Sequence, residues 1–150
     1  MTKKIPDGYG TVTPYLVTKD AAKVIEFLQK SFDAKETHER MMKGDIVGHA
    51  EVKIGNSILM ISDACEHAPA MPSMFYIYTE DCDALYKRAL NNGAKSLQEP
   101  ADQFYGDRSG GVEDLAGNKW YVATRKEDLS DAELKKRSEE FQKQMAAGKR

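Results

Sequence analysis

The chain has 150 residues, of which 41% are hydrophobic and 31% charged, and its formal net charge at pH 7 is −2. This balance predicts one globular domain and excludes a global positive field that would attract nucleic acid or an anionic membrane. No apolar run reaches the roughly 18 residues of a membrane span, and the N-terminus lacks the apolar stretch of a signal peptide. The two cysteines, Cys65 and Cys82, form no CxxC pattern. We therefore expect a reduced, cytoplasmic protein.

The first half of the chain predicts one strand, one helix and three further strands. Pro14 lies in the first strand and favours an edge or a bulge there, because proline has no N–H to donate. Asp20 is a candidate N-cap, and the apolar side chains that follow it recur at helical spacing. The predicted bounds, in chain order, are residues 11–18, 21–32, 36–42, 46–54 and 57–62.

The second half predicts the same order after a connecting segment with two prolines. Asp81 opens its helix, and Gly93 is a C-terminal helix signal. The predicted bounds, in chain order, are residues 74–79, 81–92, 96–99, 110–113 and 119–124. Beyond them, Ser130 and Glu133 form a capping box that opens a charged C-terminal helix.

The two halves also share short sequence motifs. Tyr15 and Tyr76 each stand five residues before the aspartate that opens a helix, and Gly-Asn precedes the last strand of both halves. A unit of this length that occurs twice predicts two similar modules, over about residues 8–63 and 72–125, with the second helix one residue shorter. The cleft between two such modules is the expected ligand site.

Four segments in the same order carry a family resemblance: TVTPYL at 11–16, HAEV at 49–52, QFYGDR at 103–108 and DLAGNKW at 114–120. With the doubled βαβββ order, they resemble the vicinal-oxygen-chelate superfamily, which holds glyoxalase I, extradiol dioxygenases and bleomycin-resistance proteins, and within it the PhnB-like branch. The resemblance implies an α+β fold in which two modules form a curved mixed sheet around a cleft. It covers roughly residues 8–125, within one expected domain of residues 1–127, and leaves 128–150 as a charged C-terminal helix and tail. Relatives commonly pair modules across subunits, so a homodimer is expected.

The resemblance also bears on metal binding. Members that chelate a metal use one His or Glu from each of four strands. By position relative to the helix starts and the second Gly-Asn, these places fall on Thr13, Met60 (or Leu59), Met74 and Tyr121. None of these is a usual ligand for a divalent ion. This departure from the family's pattern argues against a metal cofactor in the cleft and against glyoxalase I chemistry.

The candidate ligand-binding residues are aromatic rings, methionines and one arginine. Tyr15 and Tyr76 share strand parity with the first and third of those four positions, although each ring could equally be ordinary core. Arg108 could anchor an anionic group, or it could pair with Asp107 or Glu113. The set predicted to line the cleft is Thr13, Tyr15, Met60, Met74, Tyr76, Phe104, Tyr105, Arg108 and Tyr121.

Histidines provide the remaining candidates. His49 and Glu51 lie two apart on one predicted strand and face the same way, either as two ligands of a displaced divalent ion or as a solvated face that continues to Lys53. His38 is expected to be solvated, and His67 to lie in a surface loop. No catalytic residue is assigned, because the chain shows no Ser-His-Asp set, Cys-His pair or phosphate loop.

Three functional hypotheses follow. The favoured one is a metal-free small-molecule binding protein that holds an apolar or aromatic ligand in the inter-module cleft, as bleomycin-resistance proteins sequester their drugs. The second is a lyase, isomerase or dioxygenase-like enzyme of the same superfamily, with one divalent metal ion displaced onto His49, Glu51 or Tyr121. The third is a dimeric interaction protein that uses its C-terminal helix. None involves nucleic acid or a membrane.

Overall fold

The computed structural model describes residues 1–148, which fold into two mixed sheets, each covered on one side by a helix. The α+β class and the two successive modules are as predicted. The elements of the first module are β1 (Tyr15–Thr18), α1 (Ala21–Phe32), β2 (Lys35–Glu36), β3 (Met41–Lys43), β4 (Ile46–Ile54) and β5 (Ser57–Asp63). Those that follow are β6 (Met74–Tyr78), α2 (Cys82–Asn91), β7 (Lys95–Asp102), β8 (Asp107–Glu113), β9 (Lys119–Arg125) and α3 (Asp131–Ala146).

The two sheets have the same topology. The first has the order β1-β5-β4-β2, with β3 also pairing with β4, and the second has the order β6-β9-β8-β7. In each sheet the first strand of the module lies at an edge and pairs in parallel with the last strand, while the other pairs are antiparallel. The sequence repeat is therefore a structural repeat.

Each sheet has one buried side and one open side. Side chains such as Leu16, Ile61 and Val52 point towards α1, while Val112, Trp120 and Val122 lie on the α2 side, and all of them are buried. The helices α1 and α2 also contact each other, so the two modules share one hydrophobic core. The opposite side of each sheet carries no helix, and we call it the open face of that module.

The start of the first module differs from the prediction in two respects. The first strand begins at Tyr15 rather than at residue 11, directly after Pro14, whose carbonyl accepts a hydrogen bond from Met60 N–H at 3.0 Å. Asp20 is not a side-chain N-cap: its backbone is left-handed, with φ of 50°, and its carboxylate caps no helical amide. The cap comes instead from the distant Asp63, whose Oδ1 accepts the Ala21 N–H at 2.9 Å.

The second module closes in a related way. Asp81 is the predicted N-cap of α2, and its carboxylate accepts the Ala84 N–H at 3.1 Å. The Cys82 N–H, equivalent to that of Ala21, donates to Thr124 Oγ1 at 2.9 Å. Both contacts join the first helical residue to the last strand over 42 positions, so each helix is fixed by the final strand of its own module.

Other boundaries differ where backbone irregularity hides the pattern. The strand predicted over residues 36–42 is split into β2 and β3. Strands β7 and β8 are longer than predicted. Pro100 and the register shifts around Gln98 interrupt the pattern from which their length was predicted. The second helix has 10 residues against 12 in the first, so it is shorter by more than the one residue predicted. The capping box of α3 is confirmed, since Ser130 Oγ accepts the Glu133 N–H, and the last two residues of the predicted tail lie outside the described part.

A buried turn between β8 and β9 joins the modules. The Asp114 carboxylate, 5% exposed, accepts hydrogen bonds from Trp120 Nε1 at 2.9 Å and from the backbone N–H of Asn118 at 3.0 Å. The fully buried Asn118 donates in turn to Thr18 Oγ1 in the first module at 3.2 Å, and it accepts from Ser73 N–H at 3.1 Å. The Gly-Asn motif of the second module therefore has a structural role, because its asparagine holds the two modules together.

Candidate functional site

The open face of the first module carries a line of polar groups. Tyr15 lies opposite Met60, and Met60 lies opposite Glu51, so all three share this face. The Tyr15 hydroxyl reaches across the intervening strand to His49 Nδ1 at 3.1 Å, and its ring lies 5.6 Å from the imidazole. The His49 Nε2 contacts Glu51 Oε2 at 2.7 Å. A carboxylate, an imidazole and a phenol thus form one continuous hydrogen-bonded chain.

Glu51 is the least expected member of this chain. It is only 7% exposed, and a second imidazole nitrogen, His38 Nε2, lies 3.4 Å from the same oxygen Oε2. The other oxygen, Oε1, is buried and has no hydrogen-bond partner within residues 1–148. A simple solvated face is therefore wrong for Glu51, although Lys53 and His38 are exposed as that interpretation expects.

The open face of the second module is built in a similar way. Tyr76 lies opposite Tyr121, which lies opposite Gly111. A Cβ atom at Gly111 would come within 2.6 Å of Tyr121 Cε1, so the absence of a side chain there lets the ring lie across the strand. Tyr76 is the repeat equivalent of Tyr15, and both phenols hydrogen-bond to the strand beyond their neighbour.

Two tyrosines on this face share one carboxylate oxygen. The hydroxyls of Tyr76 and Tyr78 donate to Asp107 Oδ2 at 2.8 and 3.0 Å, and Asp107 is 4% exposed. Burial raises the pKa of Tyr76, with Tyr105 and Asp107 adding to the effect, and the hydrogen bond to Asp107 raises the pKa of Tyr78. Both phenols therefore remain protonated donors at neutral pH.

Sequence reasoning missed Tyr78 and Asp107 as members of one site. Tyr78 has the same strand parity as Tyr76, and this parity could have identified it. Asp107 was considered only as a partner for Arg108. It is the first residue of β8 and belongs to the QFYGDR segment, but only the strand order brings it to the tyrosines.

Arg108 and Phe104 lie away from both open faces. Arg108 donates to both carboxylate oxygens of Asp83 at 2.8 and 3.0 Å, and it lies 3.4 Å from Asp102 Oδ1, so its partners are not Asp107 or Glu113. The Arg108 guanidinium lowers the pKa of Asp83 to about 2. Phe104 stacks on Phe141 of α3 with ring centroids 4.7 Å apart.

A cavity of about 530 Å³ also lies at the junction of the modules. Its apolar wall includes Phe75 and Trp120, which stack with centroids 4.5 Å apart, and its rim includes the turn between β4 and β5. Of the nine residues predicted to line the cleft, only Tyr76 borders this junction cavity.

The donor set at the four positions that the resemblance assigns to metal ligands does not fit a divalent ion. Thr13 and Met60 belong to the first module, whereas Met74, 65% exposed, and Tyr121 belong to the second. A hydroxyl, two thioethers and a phenol supply no charge to offset the hydration that the ion would lose. Within residues 1–148, no three His, Cys, Asp or Glu side chains are grouped so that they could hold a metal.

These features agree with a known family. The chain matches the model of the Glyoxalase/Bleomycin resistance protein/Dioxygenase superfamily over residues 9–122, and it therefore belongs to that superfamily. It is similar to uncharacterized proteins of Mycobacterium bovis and Mycobacterium tuberculosis, each 32% identical over 120 residues. These matches cover 73% of this chain and 79% and 71% of the two relatives.

Solved structures show the same fold. TioX from Micromonospora sp. ML1 is 21% identical, with a TM-score of 0.65, over 77% of this chain and 99% of that one. A glyoxalase/bleomycin resistance protein/dioxygenase from Nocardioides is 22% identical, with a TM-score of 0.61, over 87% and 90%. No helix in the described part of the chain is long and apolar enough to cross a membrane.

Proposed function

We propose that this protein is a metal-free binder of a small apolar or aromatic molecule, of the bleomycin-resistance type and in the PhnB-like branch. The ligand lies in a cleft between two open faces. One is the open face of the first module, and the other is the open face of the second module in another copy of the chain. The single observation that carries the proposal is the make-up of these faces: each carries exposed tyrosine rings and one buried carboxylate, Glu51 on the first face and Asp107 on the second. Binding sites for small molecules are mostly apolar, with a few polar groups that fix orientation. Two free cysteines fit a cytoplasmic location.

A second copy of the chain completes the cleft in this proposal. Within one chain the helix-covered sides of the sheets meet through α1 and α2, so the open faces do not cover each other. Large apolar side chains consequently remain exposed on them, including Met74 and, at 61%, Tyr78. Apolar surface that is grouped in this way typically marks an interaction site. The edge strands β1 and β6 add unpaired backbone groups that a partner can cover.

We predict that the protein sediments as a homodimer at tens of micromolar. In the dimer, the open face of the first module in one copy pairs with the open face of the second module in the other copy. This pairing removes the exposed rings from water, which favours association. Sedimentation equilibrium of the wild-type chain measures the mass directly. Replacing Met74 with aspartate is expected to shift the equilibrium towards monomer, while the same change at the exposed Leu115 outside these faces leaves it unchanged. A monomeric wild type would contradict the proposal.

We predict that the neutral dye Nile red binds saturably and that EDTA leaves its dissociation constant unchanged. The dye is apolar and aromatic, so it suits the rings of the open faces, and no metal takes part. A Tyr78→Ala variant is expected to weaken binding about threefold to tenfold through lost ring contact, whereas Leu115→Ala has no effect. Dye fluorescence follows the titration. Loss of binding in EDTA would overturn the metal-free proposal. Unchanged binding by Tyr78→Ala would contradict a ligand on the second open face, and it would also exclude the junction cavity, which Tyr78 lines as well.

One observation favours an enzyme as the second candidate. The chain from Glu51 through His49 to Tyr15 has the order carboxylate, imidazole, hydroxyl that orients a proton-transferring group. A ligand on the first open face would meet the Tyr15 hydroxyl first, because Glu51 is buried beneath. Turnover of a bound ligand that is lost in Tyr15→Phe, which keeps the ring without the hydroxyl, would establish this activity.

A further inference from the structure

The Asp107 carboxylate lacks a positive partner. Its Oδ2 accepts both tyrosine hydroxyls, while its other oxygen, Oδ1, accepts no hydrogen bond from residues 1–148 and is not sealed from solvent. Arg125 is opposite Asp107 in the strand register, but its Nε donates to Asp128 Oδ1 at 2.7 Å. No Lys, Arg or His nitrogen in the described part lies within 4.0 Å of the Asp107 carboxylate.

This arrangement differs from the first open face. There the buried Glu51 has two imidazoles beside it, with Nε2 of His49 and of His38 at 2.7 and 3.4 Å from its Oε2. Asp107 has only phenols, whose raised pKa values keep them neutral. A buried charge without an opposite charge is unfavourable, and hydrogen bonds from neutral donors offset this cost only in part. A positive group supplied from outside would offset the rest.

The surrounding rings suit an organic cation better than a metal ion. Tyr76 and Tyr78 are in edge-to-face contact with centroids 5.3 Å apart, and both rings are partly exposed beside the carboxylate. Aromatic faces attract ammonium groups, whereas a divalent metal ion needs several charged or imidazole donors. The hydroxyl of Ser109, on the same strand and face, is buried and adds no charge.

We propose that Asp107, with Tyr76 and Tyr78, recognises the ammonium group of an aromatic or amphipathic amine. This inference rests on the proposed function and narrows its ligand class. The ammonium N–H donates to Asp107 Oδ1, the tyrosine rings flank the positive charge, and the apolar part of the amine extends across the open face towards Tyr121. In the first module the buried carboxylate of Glu51 has two imidazoles beside it, so the amine end of the ligand faces the second module.

The experiment compares phenethylamine with phenethyl alcohol, which has the same ring and chain but no charge. Calorimetric titration into the wild-type protein is expected to show tighter binding of the amine. Asp107→Asn keeps an acceptor for the tyrosine hydroxyls while removing the charge, and it should weaken amine binding about tenfold, which corresponds to one charged hydrogen bond. Binding of the alcohol should remain unchanged in this variant.

Two further variants make the outcome unambiguous. Glu113→Gln removes a carboxylate from the far end of the same strand and face, and it should alter neither titration. Tyr78→Leu removes an exposed ring without disturbing the core, and it should weaken the amine about threefold more than the alcohol. Equal binding of amine and alcohol to the wild type would overturn this inference and leave the proposed function standing. Binding of neither, together with no binding of Nile red, would overturn the proposed function itself.

Discussion

The Asp114→Ala variant is expected to lose about 4 kcal/mol of unfolding free energy, because one buried carboxylate satisfies several donors and each charged hydrogen bond is worth about 1.5–3 kcal/mol. The Trp120 Nε1 and the Asn118 N–H would be left without an acceptor in the core. Asn118 would also lose the partner that orients it towards Thr18. Urea unfolding followed by circular dichroism measures the change.

The neighbouring Glu113 provides a matched control for this variant. Its side chain takes part in no hydrogen bond or ion pair within the described residues, and it is only partly buried. Glu113→Ala should therefore change the unfolding free energy by less than about 0.5 kcal/mol. A similar loss in both variants would show that the turn, and not the Asp114 network, is sensitive to substitution.

The Trp120→Ala variant is expected to lose about 4 kcal/mol, within the range for a large aromatic core side chain. Trp120 is 1% exposed, stacks on Phe75 and lies 6.0 Å from the ring of Phe32 in the first module. Its removal therefore leaves a void at the boundary between the modules, and the melting temperature should fall by about 8–16 °C. Trp120 is the single tryptophan of the chain, so the variant has no tryptophan fluorescence with which to follow unfolding. Circular dichroism is therefore the suitable measurement.

A variant at the adjacent Tyr121 distinguishes the loss of core packing from a general disruption of β9. It points to the open face and is partly exposed, so Tyr121→Ala should cost only about 1 kcal/mol. Equal losses at positions 120 and 121 would contradict the assignment of the two faces.

Local patterns in the sequence were sufficient for much of the fold. The bounds of α1 were predicted without error because Val24, Ile25 and Leu28 recur at helical spacing and are all buried. The capping residues Asp81 and Ser130 were also confirmed, since a side-chain cap acts within three residues. Strands β7 and β8 were predicted too short, because Pro100 and adjacent glycines interrupt the apolar alternation on which such predictions depend.

The site depended on contacts that no local pattern contains. Asp63 and Asp107 act through residues far along the chain, and only strand order brings them to their partners. The sequence placed Thr13, Met60, Met74 and Tyr121 in one cleft by analogy with two facing modules. In this chain α1 packs against α2, so those four positions are divided between two open faces. Helix-against-helix packing is a tertiary property and is not encoded in the repeat itself.

The two helix-closing contacts allow the lengths of the two modules to be compared. Asp63 with Ala21 and Thr124 with Cys82 span the same number of positions, although the turn between the last two strands is longer in the second module. The longer turn is offset within the second module by the shorter helix α2, which has 10 residues against 12 in α1. The closing side chain itself has diverged between carboxylate and hydroxyl, and the carboxylate also holds Val47 N–H at 2.8 Å. The closing contact thus has the same separation along the chain in both modules, whereas the side chain that makes it differs between them.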